Sequence, residues 1–277
     1  MHTFPDCPMP HEPVARQRRG LCKDNHMNQK TALVTGASSG IGAATVRALV
    51  NDGFRVIASA RREERLRALA AATGCDYVAA DLTTTDGVAA VANAADAAGG
   101  IDVLVNNAGG ALGTDSVAEG KLEEWRRMYE INVMSTLALT EALLPGLRER
   151  GGDIVFMLST AAHGTYPGGA GYVAAKHAER QIADTLRLEL VGEPVRIISI
   201  NPGMVRTEEF SLNRYHGDAQ AAAKVYAGVA QPLLAEDIAE CVRWAVGLPK
   251  HVNIDSLTVR PVAQASNTIV ARSGEGA

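Results

Sequence analysis

Tyr172 and Lys176 stand four residues apart in the stretch YVAAK. In an alanine-rich segment with the look of a helix, that spacing brings two side chains to one face. The pair is either an ordinary helix face or a phenol set beside a cation so that it can move a proton. With a reference pKa of about 10, tyrosine is a poor base near neutrality unless a nearby positive charge stabilises its anion. Spacing alone does not choose between the two.

A second stretch suggests what such chemistry would act with. The segment TGASSGIG, residues 35–42, follows an apolar strand and leads into a helix. Gly36, Gly40 and Gly42 let the backbone turn tightly and approach a pyrophosphate, with Ser38, Ser39 and Ile41 between them. The helix N-terminus behind the turn offers free N–H groups and a positive dipole end. The plain alternative is a tight strand-to-helix turn. Twenty residues on, the second strand ends at Ala60 and is followed by Arg61 and Arg62. A site for NAD(H) places a carboxylate there to bind the ribose hydroxyl. A guanidinium instead pairs with a 2′-phosphate, so NADP(H) is expected over NAD(H). The alternative is that both arginines simply begin a solvated helix.

These groups need elements to hold them. Residues 31–35, 55–59, 76–80, 102–106, 153–158, 195–200 and 256–260 are short apolar runs that read as strands covered on both faces. Between them, segments such as 43–51, 63–72, 122–150 and 174–191 carry apolar residues three or four apart and read as helices. The alternation predicts an α/β fold with a single Rossmann-type, doubly wound domain. Its seven-stranded, mostly parallel sheet is flanked by helices. The domain is expected over residues 28–265, with a disordered extension at 1–27 and a flexible tail at 266–277. The first 26 residues hold four prolines and a basic cluster and lack the apolar core of a signal peptide, which makes Met27 a candidate start.

Composition narrows the function classes. The chain has 277 residues, 47% hydrophobic, and a net charge of −4, which argues against bulk binding to nucleic acid or anionic membranes. No run approaches the roughly 18 to 20 apolar residues that span a bilayer. Cys7, Cys22, Cys75 and Cys241 show no metal or disulfide spacing and read as reduced thiols, so a cytoplasmic location and no metal site are expected.

With TGASSGIG (35–42), DL (81–82), NNAG (106–109), Asn132 in EINV, Ser159 in MLST, YVAAK (172–176) and NPG (201–203) in this order, the chain resembles the short-chain dehydrogenase/reductase family over residues 30–264. The resemblance implies that Asp81 and Leu82 flank an adenine and that Asn107, Ala108 and Gly109 line the cofactor cleft. The segment Pro202, Gly203, Val205, Thr207 would hold the nicotinamide amide. It assigns Asn132, Ser159, Tyr172 and Lys176 to catalysis. Tyr172 would be the acid/base, with its pKa lowered by Lys176, which also binds the nicotinamide ribose. Ser159 would donate to the substrate oxygen, and Asn132 would hold a water linking Lys176 to solvent. The helices 122–150 and 174–191 would be dimer and tetramer surfaces, so a homodimer or homotetramer is expected.

The variable region 203–228, with NNAGGALG (106–113) and the tail 248–265, resembles the NADP-dependent 3-hydroxy acid dehydrogenases, also described as serine dehydrogenases and malonic semialdehyde reductases. EFSLNRYHGD is the sharpest match. RTEEF departs from the pattern by one extra acidic residue, and HGTYPGGAGY also departs. A hydroxy acid needs a cation for its carboxylate, and Arg206 and Arg214 are the candidates. His163 and His216 are read as wall or surface residues. Alternatives are a reductase of bulkier carbonyls, a carrier-protein-linked 3-oxoacyl reductase, and a silent dinucleotide-binding protein.

Overall fold

A computed structural model describes residues 29–273; the expected extension at 1–27 lies outside them. Seven strands form one sheet: β1 (Thr31–Thr35), β2 (Arg55–Ala60), β3 (Asp76–Ala79), β4 (Val103–Asn106), β5 (Asp153–Met157), β6 (Arg196–Pro202) and, after a short parallel pair β7 (Val205–Arg206) and β8 (Leu233–Leu234), β9 (Ser256–Val259). The order is β3-β2-β1-β4-β5-β6-β9 and every pairing is parallel. The strand order reverses between β1 and β4, and the crevice at that switch point is where open α/β sheets place ligands.

Strand periodicity divides the core in two. Val34, Val105, Val155 and Ile198 point to one face and pack with Val46, Leu49, Leu66 and Ile238. Those residues come from α1 (Gly40–Asn51), α2 (Glu63–Thr73) and, after the short helices α7 (Phe210–Arg214) and α8 (Ala219–Lys224), α9 (Ala235–Gly247). Their strand neighbours Leu33, Leu104, Ile154 and Ile197 point the other way, against Val91, Leu139, Leu143 and Ala183. That second layer is α3 (Thr85–Ala97), α5 (Ser135–Arg150) and α6 (Ala170–Glu189). Fully enclosed chains such as Phe156 and Leu33 each contribute about 1.5–3 kcal/mol.

The strands match the expected positions closely, but the edges do not carry the expected cover. Along β3, Asp76, Tyr77 and Ala79 are exposed, because β3 is a sheet edge with a neighbour on one side only. The segment 122–150 is not one helix. A π turn at Glu130–Met134 separates α4 (Leu122–Tyr129) from α5. The helix expected at 174–191 begins at Ala170 instead, with Gly169 as its cap, so Tyr172 lies in its first turn. Nor does the domain end at 265. Gln264 and Val270 form an antiparallel bridge, Ser273 N donates to Gly228 O at 2.8 Å, and Arg272 donates to Val225 O and Ala227 O. Residues 266–273 are thereby fastened to the end of the segment 203–228, a lid that borders the cleft.

One buried ion pair closes the sheet below the site. Arg196 donates to both carboxylate oxygens of Asp153 at 2.7 Å and to the carbonyls of Val246 and Val252, tying β5 and β6 to the end of α9.

Candidate active site

The carboxyl ends of the strands open onto a cleft of about 1160 Å³ at the β1–β4 switch point. The glycine turn forms its floor. Gly36 has φ +64°, which an L side chain resists, and a Cβ there would lie 2.9 Å from Ala108 Cα. A Cβ on Gly42 would strike Gly36 O and approach Asn107 Nδ2 to 2.6 Å. The turn and the β4 loop therefore touch backbone to backbone. Thr35 holds them together: its hydroxyl donates to Val105 O and accepts from Asn107 N and Ala108 N, both at 2.9 Å. Asn107 Nδ2 donates to Thr35 O at 2.8 Å, so its side chain braces the loop. Neither Thr35 nor this bracing role stands out in the sequence, because each needs the pairing of strands some seventy residues apart.

Gly36, Ser38, Ser39, Gly40, Ile41, Gly42, Arg61, Arg62, Asp81, Leu82, Asn107, Ala108, Gly109, Pro202, Gly203, Val205 and Thr207 all line this cleft, as do Ser159, Tyr172, Lys176 and Arg214. α1 begins at Gly40 with no acidic residue in its first turn, leaving the positive helix end unopposed by its own side chains. Asp81 Oδ1 accepts from Thr83 N and Thr83 Oγ at 3.0 and 2.8 Å. Burial raises its pKa, but those bonds and Arg127 and Arg61 outweigh it and keep the carboxyl below its usual range.

The proton-handling groups sit at the cleft's inner end. Ser159 ends the connection after β5 and accepts from Ala161 N at 3.1 Å, capping a short 3₁₀ turn, so its own proton remains to be donated. Tyr172 is buried, with the Phe210 ring edge-on at 5.7 Å. Burial raises its pKa more than Lys176 lowers it. Tyr166 and Glu179 add to the rise, and the Ser159 hydroxyl opposes it. Lys176 Nζ donates to Met157 O at 2.9 Å and to Glu179 Oε2 at 2.6 Å. Burial disfavours its ammonium, but Glu179 and Tyr172 outweigh that and hold its pKa above the ordinary value. Glu179 is fully enclosed; burial pushes its carboxyl up to about 7, against the pull of Lys176. A glutamate three residues past Lys176 on the same helix was the available sequence signal, and an apolar-stripe reading passes over it.

Asn132 lies in the π turn and is wholly buried. It does not border the cleft with its side chain. Its Nδ2 donates to Met128 O and Gly110 O, and its Oδ1 accepts from Gly110 N at 3.1 Å. A Cβ on Gly109 would nonetheless sit 2.5 Å from Asn132 Oδ1 and 3.6 Å from Lys176 Nζ, so one backbone point separates the two side chains. π turns of this kind are frequent at functional sites.

Of the two arginines expected at the substrate, only Arg214 reaches the cleft. Arg206 is exposed and rests on the Tyr226 ring, 5.4 Å from its centre, because its strand β7 turns it outward. Arg214, in α7 (Phe210–Arg214), donates to Gly168 O and Tyr166 OH at 3.0 Å and to Gly113 O, joining α7 to two loops around the cleft mouth. His163 bonds Asn201 Oδ1 through its Nε2, and His216 lies 3.4 Å from Glu124. Both are exposed and neither lines the cleft.

No helix among the described residues is long and apolar enough to cross a membrane. The family model for short chain dehydrogenase matches residues 30–215. An uncharacterized oxidoreductase of Mycobacterium tuberculosis is 51% identical over 239 residues, which is 86% of this chain and 93% of that protein. Serine 3-dehydrogenase of Rhizobium radiobacter is 44% identical over 237 residues, 84% of this chain and 94% of that protein. Among solved structures, the closed form of a serine dehydrogenase complexed with NADP+ superposes with a TM-score of 0.82 at 37% identity, over 88% of this chain and 100% of that one.

Proposed function

Because this chain belongs to the short chain dehydrogenase family of oxidoreductases, we propose that it interconverts a small 3-hydroxy acid and its carbonyl form with NADP(H). The observation that carries the reading is one cleft lined at once by the glycine turn, by Arg61 and Arg62, and by Ser159, Tyr172 and Lys176.

The donor set fits the cofactor. The backbone-to-backbone contact of Gly36, Gly42 and the Asn107–Ala108 loop leaves no side chain in the way of a pyrophosphate, and the N-terminus of α1 faces the same space. Arg61 and Arg62 supply the guanidinium groups that a 2′-phosphate requires. Lys176 would hold the nicotinamide ribose, and the segment Pro202–Thr207 the carboxamide. When bound, the nicotinamide accepts or supplies the hydride.

The chain's own residues handle the proton. In oxidation, the Tyr172 phenolate takes the proton from the substrate hydroxyl as hydride leaves the carbon that bears that hydroxyl. In reduction, the Tyr172 phenol returns that proton to the forming alkoxide. Ser159 Oγ donates to the substrate oxygen in both directions, stabilising the charge that develops there. Lys176 keeps the phenolate accessible by its positive charge. Asn132 acts from the side of Gly109, holding the loop that backs Lys176. Arg214 keeps spare N–H groups beyond those given to Gly168 and Tyr166, enough for a carboxylate at the cleft mouth. Likeness to serine 3-dehydrogenase supports a hydroxy acid as the substrate class.

Assembly as a homodimer or homotetramer belongs to the same reading. Tyr129, Met134 and Leu137 on the α4–α5 arm and Leu188 at the end of α6 are exposed apolar groups suited to helix pairing. Light scattering coupled to size exclusion tests it. The function is tested by assaying NADP+ reduction with L-serine, L-allo-threonine and 3-hydroxyisobutyrate beside a set of hydrophobic alcohols. Turnover of the hydroxy acids is expected; turnover of the hydrophobic set alone would overturn the substrate assignment.

A further inference from the structure

Glu209, in RTEEF, has no part in hydride transfer, yet it reaches the cofactor end of the cleft. Glu209 stands at the N-cap position of α7 within the lid, but its side chain does not cap the helix. Its carboxylate accepts from Ser39 Oγ at 3.0 Å and pairs with Arg62 Nη1 at 2.5 Å and Arg65 Nη1 at 2.6 Å. The hydrogen bond from Arg62 is the chief cause that holds this carboxyl below its usual range, with Ser39 and Arg65 adding to it against burial. The rest of the Arg62 fork is also engaged: Nη2 donates to Ser38 Oγ at 2.7 Å and to Ser39 Oγ at 3.1 Å, and Nε to Ser38 Oγ at 3.2 Å.

Arg62 and Ser39 are thus bound to an anion that belongs to the protein itself, and Ser38 accepts from the same guanidinium. Ser39 has one hydroxyl proton, and it is given to Glu209. A phosphate carrying up to two negative charges cannot take these donors while a carboxylate shares them, since like charges in contact repel. We propose that Glu209 is an internal competitor for the adenosine 2′-phosphate, and that the phosphate displaces it and releases the lid segment from the head of α1. The inference rests on the NADP(H) reading above.

The release has a path to the reacting centre. Phe210 follows Glu209 directly and packs edge-on against the Tyr172 ring, and Arg214 lies one turn further along α7. A dinucleotide with a 2′-phosphate frees this helix to settle on the substrate. One without it leaves Glu209 tied to Arg62, Arg65 and Ser39. Glu209 is in this sense a specificity-determining residue that reports the cofactor's 2′ position to the substrate lid.

The test uses cofactor fragments that cannot react. Calorimetric Kd values for adenosine 2′,5′-bisphosphate and 5′-AMP are measured on the wild type and on Glu209→Gln, with hydrogen exchange across residues 205–214. The substitution should tighten the bisphosphate at least about fivefold, a usual size for coupling between sites, and leave 5′-AMP within about twofold. In the wild type, the bisphosphate and not 5′-AMP should raise exchange across 205–214; Glu209→Gln should show the raised exchange with no ligand. If the wild type prefers the bisphosphate but Glu209→Gln binds it equally or more weakly, the inference is overturned while the NADP(H) reading stands. If neither protein distinguishes the two fragments, the NADP(H) reading fails and this inference fails with it.

Discussion

Lys176 Nζ lies 2.6 Å from Glu179 Oε2 inside the protein, with the lysine 4% exposed and the glutamate wholly enclosed. The other carboxylate oxygen, Oε1, has no hydrogen-bond partner. The cation that should acidify Tyr172 therefore has a counter-ion of its own, one turn further along α6. Burying such a pair is costly, and removing one partner leaves the other charge uncompensated. The pair thus bears on both the acid/base chemistry and the pH dependence of stability.

Glu179→Gln should shift the pH profile of the oxidation reaction. Glu179 raises the Tyr172 pKa, and its removal leaves the Lys176 charge unopposed, which favours the phenolate. The rising limb of kcat/KM with pH should move toward acid. A loss of rate with an unmoved profile would mean that Glu179 only supports packing. Stability offers a second readout. With its carboxyl raised from the ordinary 4.5 to about 7, folded Glu179 holds a proton that the unfolded chain has lost between those values. The folded state then binds more protons, so unfolding free energy falls as pH rises through that window. Denaturant titrations from pH 4.5 to 7 should show this slope in the wild type and lose it in Glu179→Gln.

Tyr172→Phe removes one oxygen and keeps the ring that packs against Phe210. Turnover should fall by on the order of 10² to 10⁴, the usual worth of a positioned acid/base group. NADPH affinity should stay within a few-fold, measured by fluorescence. A variant that keeps most of its rate would remove Tyr172 from the proton step.

Arg61→Asp should separate the two cofactors. Arg61 is exposed at the cleft wall, so the exchange leaves the core intact. A carboxylate there repels a 2′-phosphate and can accept from a ribose hydroxyl. The kcat/KM for NADPH should fall by roughly 10- to 100-fold, the worth of a charged hydrogen bond, with NADH unchanged or improved. An equal loss for both would point to general damage at the glycine turn.

What the sequence made visible and what it hid divide along contact range. β1 through β6 declare themselves by apolar runs, and TGASSGIG and YVAAK by local spacing, so the fold and the proton pair are legible from neighbouring residues. Glu209 is 147 residues from Arg62 in the chain, and no local pattern brings them together. The same holds for Arg206 and Arg214. As sequence they are equivalent cations in one variable segment, and only the strand direction of β7 and the turn into α7 send one onto Tyr226 and the other over the cleft. The π turn beneath Asn132 escapes notice because it adds a residue to a turn without altering the helical pattern around it.

Thr35 supplies the sharpest test of how the fold builds the site. It is 1% exposed at the end of β1, and its one oxygen serves three groups: it donates to Val105 O and accepts from the backbone N–H of Asn107 and Ala108. Valine has nearly the same shape and can do neither. Thr35→Val would leave the Ala108 N–H without a partner and the Asn107 N–H with only Val105 O, so a net loss of roughly 1–3 kcal/mol is expected in urea unfolding. Thr35→Ser keeps the oxygen and gives up a methyl group, and should recover most of that stability. Because Asn107 and Ala108 also line the cleft, NADPH affinity should fall in Thr35→Val and return in Thr35→Ser. If the serine variant is as unstable as the valine one, then packing of the methyl group, and not the shared hydroxyl, joins the glycine turn to the β4 loop.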